Sequence, residues 1–480
     1  MLAIAAAVLV AAAWLRGAEY DEQYTLFLTS GIARPAWPEQ AFTAGQVQVL
    51  QSGHAGFVAI ARDLRRTDVH PPLYFWVVSA WRRIVGGELF AARLFSVLCG
   101  VATLGIVAGI ARMLAMRAVW AVLLTLGCYG FVYVSVVARG FAMAELLNVG
   151  GIAMLLAVRR RWWLAPSGGL LLGAATFTNY LAAFIGCGAL LWLWRPRSSW
   201  PALTAKHSVA ATVGFALWLP ADLWFFLAQR YSRTGQFAPF DLVASFARIA
   251  RYSAANVFGG LPLYFSGAAS DIVEALLATL LLLMVATVIL RWRSTHSLLA
   301  AAVLAPPMGL ILLGAMFNNT PIELRYLAFA TPFVGLLLAG ALPRPMLCAV
   351  LVIQAAALAG LMTRPETMQP ARATAAAAAS LVRDGVVLLP HGNDGVGIVG
   401  AFAEESAPEL QLIVIRRDET AEQIRASAAH YQRVVLALLD QDADSHATLP
   451  HMRAAFAEPC WRHAGEGFNV LAFDRICEEE

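Results

Sequence analysis

His70 to Val85 reads HPPLYFWVVSAWRRIV, and how this stretch is taken decides the threading of the whole chain. It is apolar enough to resemble a bilayer span, yet it opens with Pro71-Pro72 and carries Trp81-Arg82-Arg83. The residue before a proline is pushed out of the α region, so the double proline imposes an extended entry and a helix can begin only after it. Two adjacent arginines are costly in hydrocarbon. The stretch is therefore expected to be a helix lying along or dipping into the outer membrane interface. Counted as a span, it would reverse the sidedness of everything that follows.

Around it the chain is built from apolar runs. They are Met1–Leu15, Leu89–Ala111, Ala118–Val137, Ala142–Val158, Trp163–Ala175, Leu181–Trp194, Val209–Leu227, Ile272–Leu290, Leu298–Met316, Tyr326–Leu342 and Met346–Leu361. Several approach the length needed to cross a hydrocarbon core of ~30 Å. Of the 480 residues 59% are hydrophobic and 14% charged, with a mean hydropathy of +0.65; soluble domains carry roughly 25% charged residues. An α-helical polytopic membrane protein of about eleven spans is expected. Met1–Leu15 is read as a signal-anchor and not a cleaved leader, because no basic residue precedes it and further spans follow.

The net charge of +4 comes from arginines gathered in short clusters between the runs. That pattern marks topology and not a nucleic-acid footprint. Placing Arg112/Arg117, Arg159–Arg161, Arg195/Arg197/Lys206, Arg291/Arg293 and Arg344 on the cytoplasmic side gives a consistent alternation. Residues 21–88, 139–141, 178–180, 229–271 and 317–325, and the tail after Thr363, then lie outside.

From about Arg364 the composition changes. Ala371–Arg383 is helical by propensity. Val386–Leu389, Leu412–Ile415, Val434–Leu438 and Val470–Phe473 read as short buried strands between helical stretches such as Ala421–Ala429. The division expected is a membrane domain over 1–363, with a first outer loop over 18–88, and a small outer α/β domain over 364–480. Cys460 and Cys477 lie in that tail and can pair in an oxidising compartment. Cys99, Cys128, Cys187 and Cys348 sit in apolar runs as small core residues.

Chemistry is sought at the outer ends of spans. Asp21-Glu22 follow the first run; acids near the bilayer surface are costly and often mark a site, as general base or cation ligand, although they also end a helix in solvent. His70 stands in Asp68-Val69-His70-Pro71-Pro72-Leu73-Tyr74, where a helix N-terminus favours an anion; the alternative is a structural turn. Arg139 and Arg325-Tyr326 place positive charge on the side where topology disfavours it. Guanidinium groups there can grip phosphate, or lock helix ends by pairing with Glu145 and Glu323. Arg82, Arg83 and Arg93 add basic charge to the same face, where lipid headgroups would serve as well as a substrate. Asn179-Tyr180 is read as a turn with interfacial anchoring, and Leu389–Gly397 as a strand-to-helix turn whose glycine spacing fits no nucleotide fingerprint. His207 and His296 receive no role. No CxxC, HExxH or Cys/His cluster is present; the carboxylates allow a divalent metal, but no ligand spacing demands one.

Asp21-Glu22 after a first span, HPPLYFW at His70–Trp76, Arg93 opening the next span, Arg139, and ELRYL at Glu323–Leu327 form an ordered set. That order resembles the GT-C superfamily of membrane glycosyltransferases over about residues 1–362. It looks most like the family 39 group of protein mannosyltransferases and lipid A aminoarabinose transferases. The resemblance implies a sugar moved from a polyprenyl-phosphate donor to a protein, lipid or glycan acceptor at the outer face of an inner membrane. It implies Asp21, with Glu22 beside it, as base or acceptor-site residue, and His70, Arg139, Arg325 and Tyr326 as donor phosphate ligands. Relatives often read Arg-x-Tyr at the junction where this chain has Arg139-Gly140-Phe141, which removes a hydroxyl.

Two other classes fit the same residues: a transporter or flippase of lipid-linked sugars, and a non-catalytic subunit of envelope assembly. Transporters tend to hold ionisable groups near mid-membrane, whereas here they cluster at span ends. An enzyme acting at the surface is the expectation, with membrane lipids as surroundings and no nucleic acid as partner.

Overall fold

The computed structural model describes residues 1–158, 161–195, 204–230, 238–260, 268–364, 369–457 and 459–477. Of the expected topology signals, Arg159, Arg160 and Arg197 lie outside the described residues, as does part of the 229–271 loop. In chain order the helices are α1 (Leu2–Leu15), α2 (Tyr20–Ser30), α3 (Ala44–Gln51), α4 (Phe57–Thr67), α5 (Leu73–Val85), α6 (Leu89–Met113), α7 (Ala118–Gly127), α8 (Tyr129–Val136), α9 (Phe141–Ala157), α10 (Leu164–Thr176) and α11 (Ala183–Trp194). There follow α12 (Ala205–Ala216), α13 (Leu219–Gln229), α14 (Leu242–Val257), α15 (Ala268–Leu290), α16 (His296–Phe317), α17 (Thr331–Ala341), α18 (Arg344–Thr363), α19 (Ala371–Val382), α20 (Gly397–Glu404), α21 (Ala421–Ser427) and α22 (Ala443–Ala455).

Every one of the eleven apolar runs is helical. Among the described residues five helical stretches are long and apolar enough to cross a membrane: α6, Ala269–Leu290, α16, Leu324–Ala341 and α18. Three bent pairs bring the number to eight if each is one span: α1 with α2, α7 with α8 bent by 71°, and α12 with α13 bent by 42°. The remaining runs are the shorter apolar helices Phe141–Ala157, Leu164–Thr176 and Tyr180–Trp194. The protein is thus a multi-pass helical membrane protein, in which several of the expected spans are bent or broken. The breaks fall at Cys128, Leu217-Trp218 and the short 3-10 turn over Leu324–Ala330. Freed backbone groups at such breaks are tolerated where neighbouring helices cover them.

Two compact units emerge. The first comprises Met1–Ala13, Leu64–Tyr74 and Arg93–Thr363. Its helices pack through small residues: a Cβ on Gly169 of α10 would stand 2.0 Å from the Ala211 carbonyl oxygen of α12, so the two backbones touch directly. The second comprises Trp14–Asp63, Phe75–Ala92 and Arg364–Glu480. Most of residues 18–88 belong to this second unit together with Arg364–Glu480.

The second unit is built on one six-stranded sheet in the order β1-β3-β2-β4-β6-β5. Here β1 is Phe42–Thr43, β2 Val386–Pro390, β3 Gln411–Ile415, β4 Arg433–Ala437, β5 Trp461–Gly467 and β6 Val470–Arg475. β2 is parallel to β3 and β4, while β1, β5 and β6 run antiparallel to their neighbours. Alternation sends Val387, Leu389, Leu412, Val414 and Val435 to one core and Val386, Leu388, Ile413, Ile415 and Val434 to the other. Both faces are covered, which is why the parallel strands read as unbroken apolar runs. The first core is completed by Phe27 of α2, Trp37, Phe42 and Val47 of α3. Cys460 and Cys477 form a disulfide.

Two arginines expected to supply surface charge are instead buried. Arg82 is 1% exposed; its guanidinium donates to the carbonyls of Leu26, Gln51 (2.6 Å) and Gly87 and to Thr29 Oγ1 (2.5 Å), holding the C-terminal turn of α2. Arg93, 3% exposed, donates to the Ala13 carbonyl at 2.8 Å. Arg83 remains exposed and donates to Ala55 O at 2.7 Å.

Candidate active site

In the first unit the loop after α4 meets the α8–α9 junction. His70 Nδ1 lies 2.8 Å from Asp68 Oδ1 and 3.3 Å from Arg139 Nη2. Arg139 Nη2 in turn stands 3.6 Å from Asp68 Oδ2. A carboxylate only accepts, so a hydrogen bond at 2.8 Å requires the proton on Nδ1. Arg139 and Asp68 side chains are 2% and 7% exposed and His70 is 14% exposed, the most open of the three.

The sequence builds this corner locally. Pro71-Pro72 keeps the chain extended until Leu73, whose amide reaches the Phe177 carbonyl at 3.2 Å. Arg139 occupies the break between α8 and α9, with its own amide on Val137 O at 2.8 Å. Gln229, at the end of α13 and 3% exposed, donates to both His70 O (3.0 Å) and Leu64 O (2.9 Å) and accepts from Tyr180 Oη at 2.9 Å. The backbone carrying His70 is thereby fixed at two points. Glu145, weighed as a partner for Arg139, accepts from Thr331 Oγ1 at 3.1 Å.

The other expected ligands are placed differently. Arg325 forms an ion pair with Glu323 at 2.6 Å and lies over the Tyr326 ring at 5.5 Å, the helix-locking arrangement that the sequence also allowed. Tyr326 is 8% exposed. Phe141 packs on Phe329 with ring centroids 5.8 Å apart, so that position tightens α9 against the turn carrying Arg325.

Asp21 and Glu22 belong to the second unit and sit in the first turn of α2, where negative charge complements the helix dipole. Glu22 is fully buried and accepts from the Glu19 amide at 2.9 Å, which caps the helix. Asp21 is 8% exposed. Glu22 therefore has a structural employment, and Asp21 carries the chemical candidacy alone. Among the described residues no group of three or more His, Cys, Asp or Glu converges as for a metal ion.

Asp68 and Gln229 were not singled out from sequence. Asp68 was the first residue of the quoted motif, and its i, i+2 spacing to His70 was a usable signal. Gln229 offered none, being an amide at the end of an apolar run 159 positions from the residue it holds.

Residues 69–224 match the family described as dolichyl-phosphate-mannose-protein mannosyltransferase. That range includes His70 and Arg139 and begins one residue after Asp68. Among solved structures, ArnT from Cupriavidus metallidurans in the apo state superposes with a TM-score of 0.53 at 11% identity, covering 99% of this chain and 97% of that one. The same enzyme bound to undecaprenyl phosphate gives a TM-score of 0.52 at 12% identity with the same coverage. No curated protein matches the sequence significantly. Residues 69–224, about a third of the chain, thus carry the pattern of that mannosyltransferase family, and the chain shares the fold of ArnT along nearly its whole length.

Proposed function

We propose that the protein transfers a sugar from a polyprenyl-phosphate donor to an acceptor hydroxyl at the outer face of the membrane, with inversion at the sugar carbon. Arg139 and His70 take the donor phosphate, with Arg325 and Tyr326 as further donor contacts, and Asp21 is the base. The acceptor oxygen attacks the anomeric carbon opposite the phosphate. The carbon–oxygen bond to phosphate breaks with its electron pair on the departing phosphate, and the acceptor proton passes to Asp21. Charge grows on the leaving phosphate, so fixed donors at that point lower the barrier more than they tighten ground-state binding.

The observation that carries this reading is the Asp68–His70–Arg139 cluster. One carboxylate aligns an imidazole and a guanidinium 3.3 Å apart at the edge of a membrane helix, in a chain sharing the fold of an enzyme solved with undecaprenyl phosphate bound. The outer placement of the tail is supported by the Cys460–Cys477 disulfide, a bond that persists in oxidising compartments. An inner, plasma-membrane location is part of the same proposal and rests on the resemblance alone.

The test is to give purified full-length protein a panel of polyprenyl-phosphate sugars, with envelope extract as acceptor source, and to follow release of polyprenyl phosphate. Turnover of at least one donor, reduced in Arg139→Ala, supports the proposal. Absence of turnover together with movement of intact lipid-linked sugar across vesicle membranes overturns it.

A further inference from the structure

The second unit raises the question of what an α/β region contributes to a membrane transferase. Its sheet carries no part of the Asp68–His70–Arg139 cluster. It does enclose the helix bearing Asp21, from the approach to that helix through to its second turn.

The approach is fixed first. The Ala18 amide donates to Glu405 Oε1 at 2.6 Å, and Arg372 holds the Leu15 carbonyl at 3.0 Å while pairing with Glu405 at 2.7 Å. Gln369 links Arg16, at 2.7 Å, to the Glu19 carboxylate. The helix face is fixed next. Tyr24 Oη donates to the Asp394 carboxylate at 2.9 Å, and Tyr20 Oη reaches Asp442 Oδ2 at 3.2 Å. Residues 20, 23, 24 and 27 share one helical face, and α20 presents glycine to it. A Cβ on Gly400 would stand 2.8 Å from Gln23 Oε1 and 2.9 Å from Phe27 Cε2; one on Gly397 would stand 2.3 Å from the Tyr20 ring. At these two positions the helices approach more closely than a side chain on α20 permits.

Such detail exceeds what burying an apolar stripe needs. Asp394 and Asp442 each accept from a tyrosine hydroxyl in addition to backbone amides, and Asp394 is held in turn by Arg34 at 3.1 Å. These bonds are directional and fix rotation and translation of α2, which apolar packing alone leaves looser. We infer that the C-terminal α/β region is a working part of the transfer machinery: Glu405, Asp394 and Gly400 are positioning residues that hold helix α2, and with it Asp21, in one placement. This rests on the reading of Asp21 as base, and it assigns the tail a role in rate in addition to one in stability.

The test compares Glu405→Ala, Glu405→Gln, Tyr24→Phe and Gly400→Val with Asp21→Asn in the full-length protein, using the polyprenyl-phosphate sugar found to turn over. Rates are normalised to folded protein, scored by the Cys460–Cys477 disulfide and a monodisperse gel-filtration peak. Misplacing a reacting group by about 1 Å costs up to ~100-fold in rate. Glu405→Ala, Tyr24→Phe and Gly400→Val are therefore expected to lower kcat by roughly 10- to 100-fold with donor KM changed less than about twofold. Glu405→Gln, whose amide oxygen still accepts from Ala18, recovers most of the loss. If kcat per folded molecule is unchanged in all three while Asp21→Asn is inactive, the inference is wrong and the base reading stands. Full activity in Asp21→Asn removes both.

Discussion

Nδ1 of His70 and Nη2 of Arg139 lie 3.3 Å apart although 69 positions separate them in the chain, and both touch the carboxylate of Asp68. A guanidinium beside an imidazole is a repulsive pair whenever the imidazole is charged. The shared carboxylate offsets that repulsion and orients both groups. The arrangement suits an anionic ligand that arrives with its own charge.

Arg139→Lys should separate charge from geometry. Lysine keeps the positive charge and loses the planar fork that matches phosphate. A hydrogen bond to a charged group is worth about 1.5–3 kcal/mol, so donor KM should rise by roughly 10- to 100-fold. Steady-state kinetics over a donor titration checks this; an unchanged KM would detach Arg139 from the donor.

Gln229→Leu should loosen the same corner without touching its charges. The substitution leaves the Leu64 and His70 carbonyls and the Tyr180 hydroxyl without their present partner. Unsatisfied buried groups cost about 1–3 kcal/mol each, so the thermal midpoint in detergent should fall measurably. Equal midpoints for Gln229→Leu and the parent would show that these bonds contribute nothing.

Much of this was legible in the sequence. The apolar runs, the double proline before α5 and the four apolar strands of the tail each follow from a local pattern that the fold preserves. β1 and β5 did not announce themselves. β1 is two residues long and pairs with a strand some 370 positions away, and β5 is the half-exposed edge WRHAGEG, without an apolar run. The site divides along the same line. Arg139 stands out because charge at a span end needs a reason, and His70 because it precedes a double proline at a helix start, whereas Gln229 and the buried staple Arg82 are defined wholly by tertiary partners. The membership of residues 14–63 in the tail unit could not be read locally at all, since it depends on Phe27, Trp37 and Phe42 finding a sheet formed more than 300 residues later.

The Cys460–Cys477 bond gives a test of compartment and of stability. It spans a sequence separation of 17 residues, a loop size at which cross-linking stabilises by ~3 kcal/mol. In intact cells both thiols should resist maleimide labelling until reductant is added, and Cys460→Ser should lower the tail's unfolding midpoint. Thiols that label without reductant would place the tail in a reducing compartment.

Arg433 and Asp474 pair through two bonds, at 2.7 and 2.9 Å, across β4 and β6. The hydrogen bonds from Arg433 hold the Asp474 carboxyl below its ordinary range. A depressed carboxyl contributes stability above its unfolded value of about 3.9 and loses it as pH falls through the lower folded value. Asp474→Asn should therefore be less stable than the parent at pH 7 by about 0.5–1 kcal/mol, given its partial exposure. The gap should narrow on acidification below the unfolded value of about 3.9. Unfolding midpoints measured at neutral and acid pH check the sign, and a gap that widens in acid would contradict it.

The most direct measurement is kcat of Asp21→Asn at saturating polyprenyl-phosphate sugar. Removing a general base costs about 10²- to 10⁴-fold, and the amide preserves shape and the helix start. The predicted result is a loss of that size with donor affinity retained. Turnover equal to that of the parent protein would contradict the assignment of Asp21 as the base.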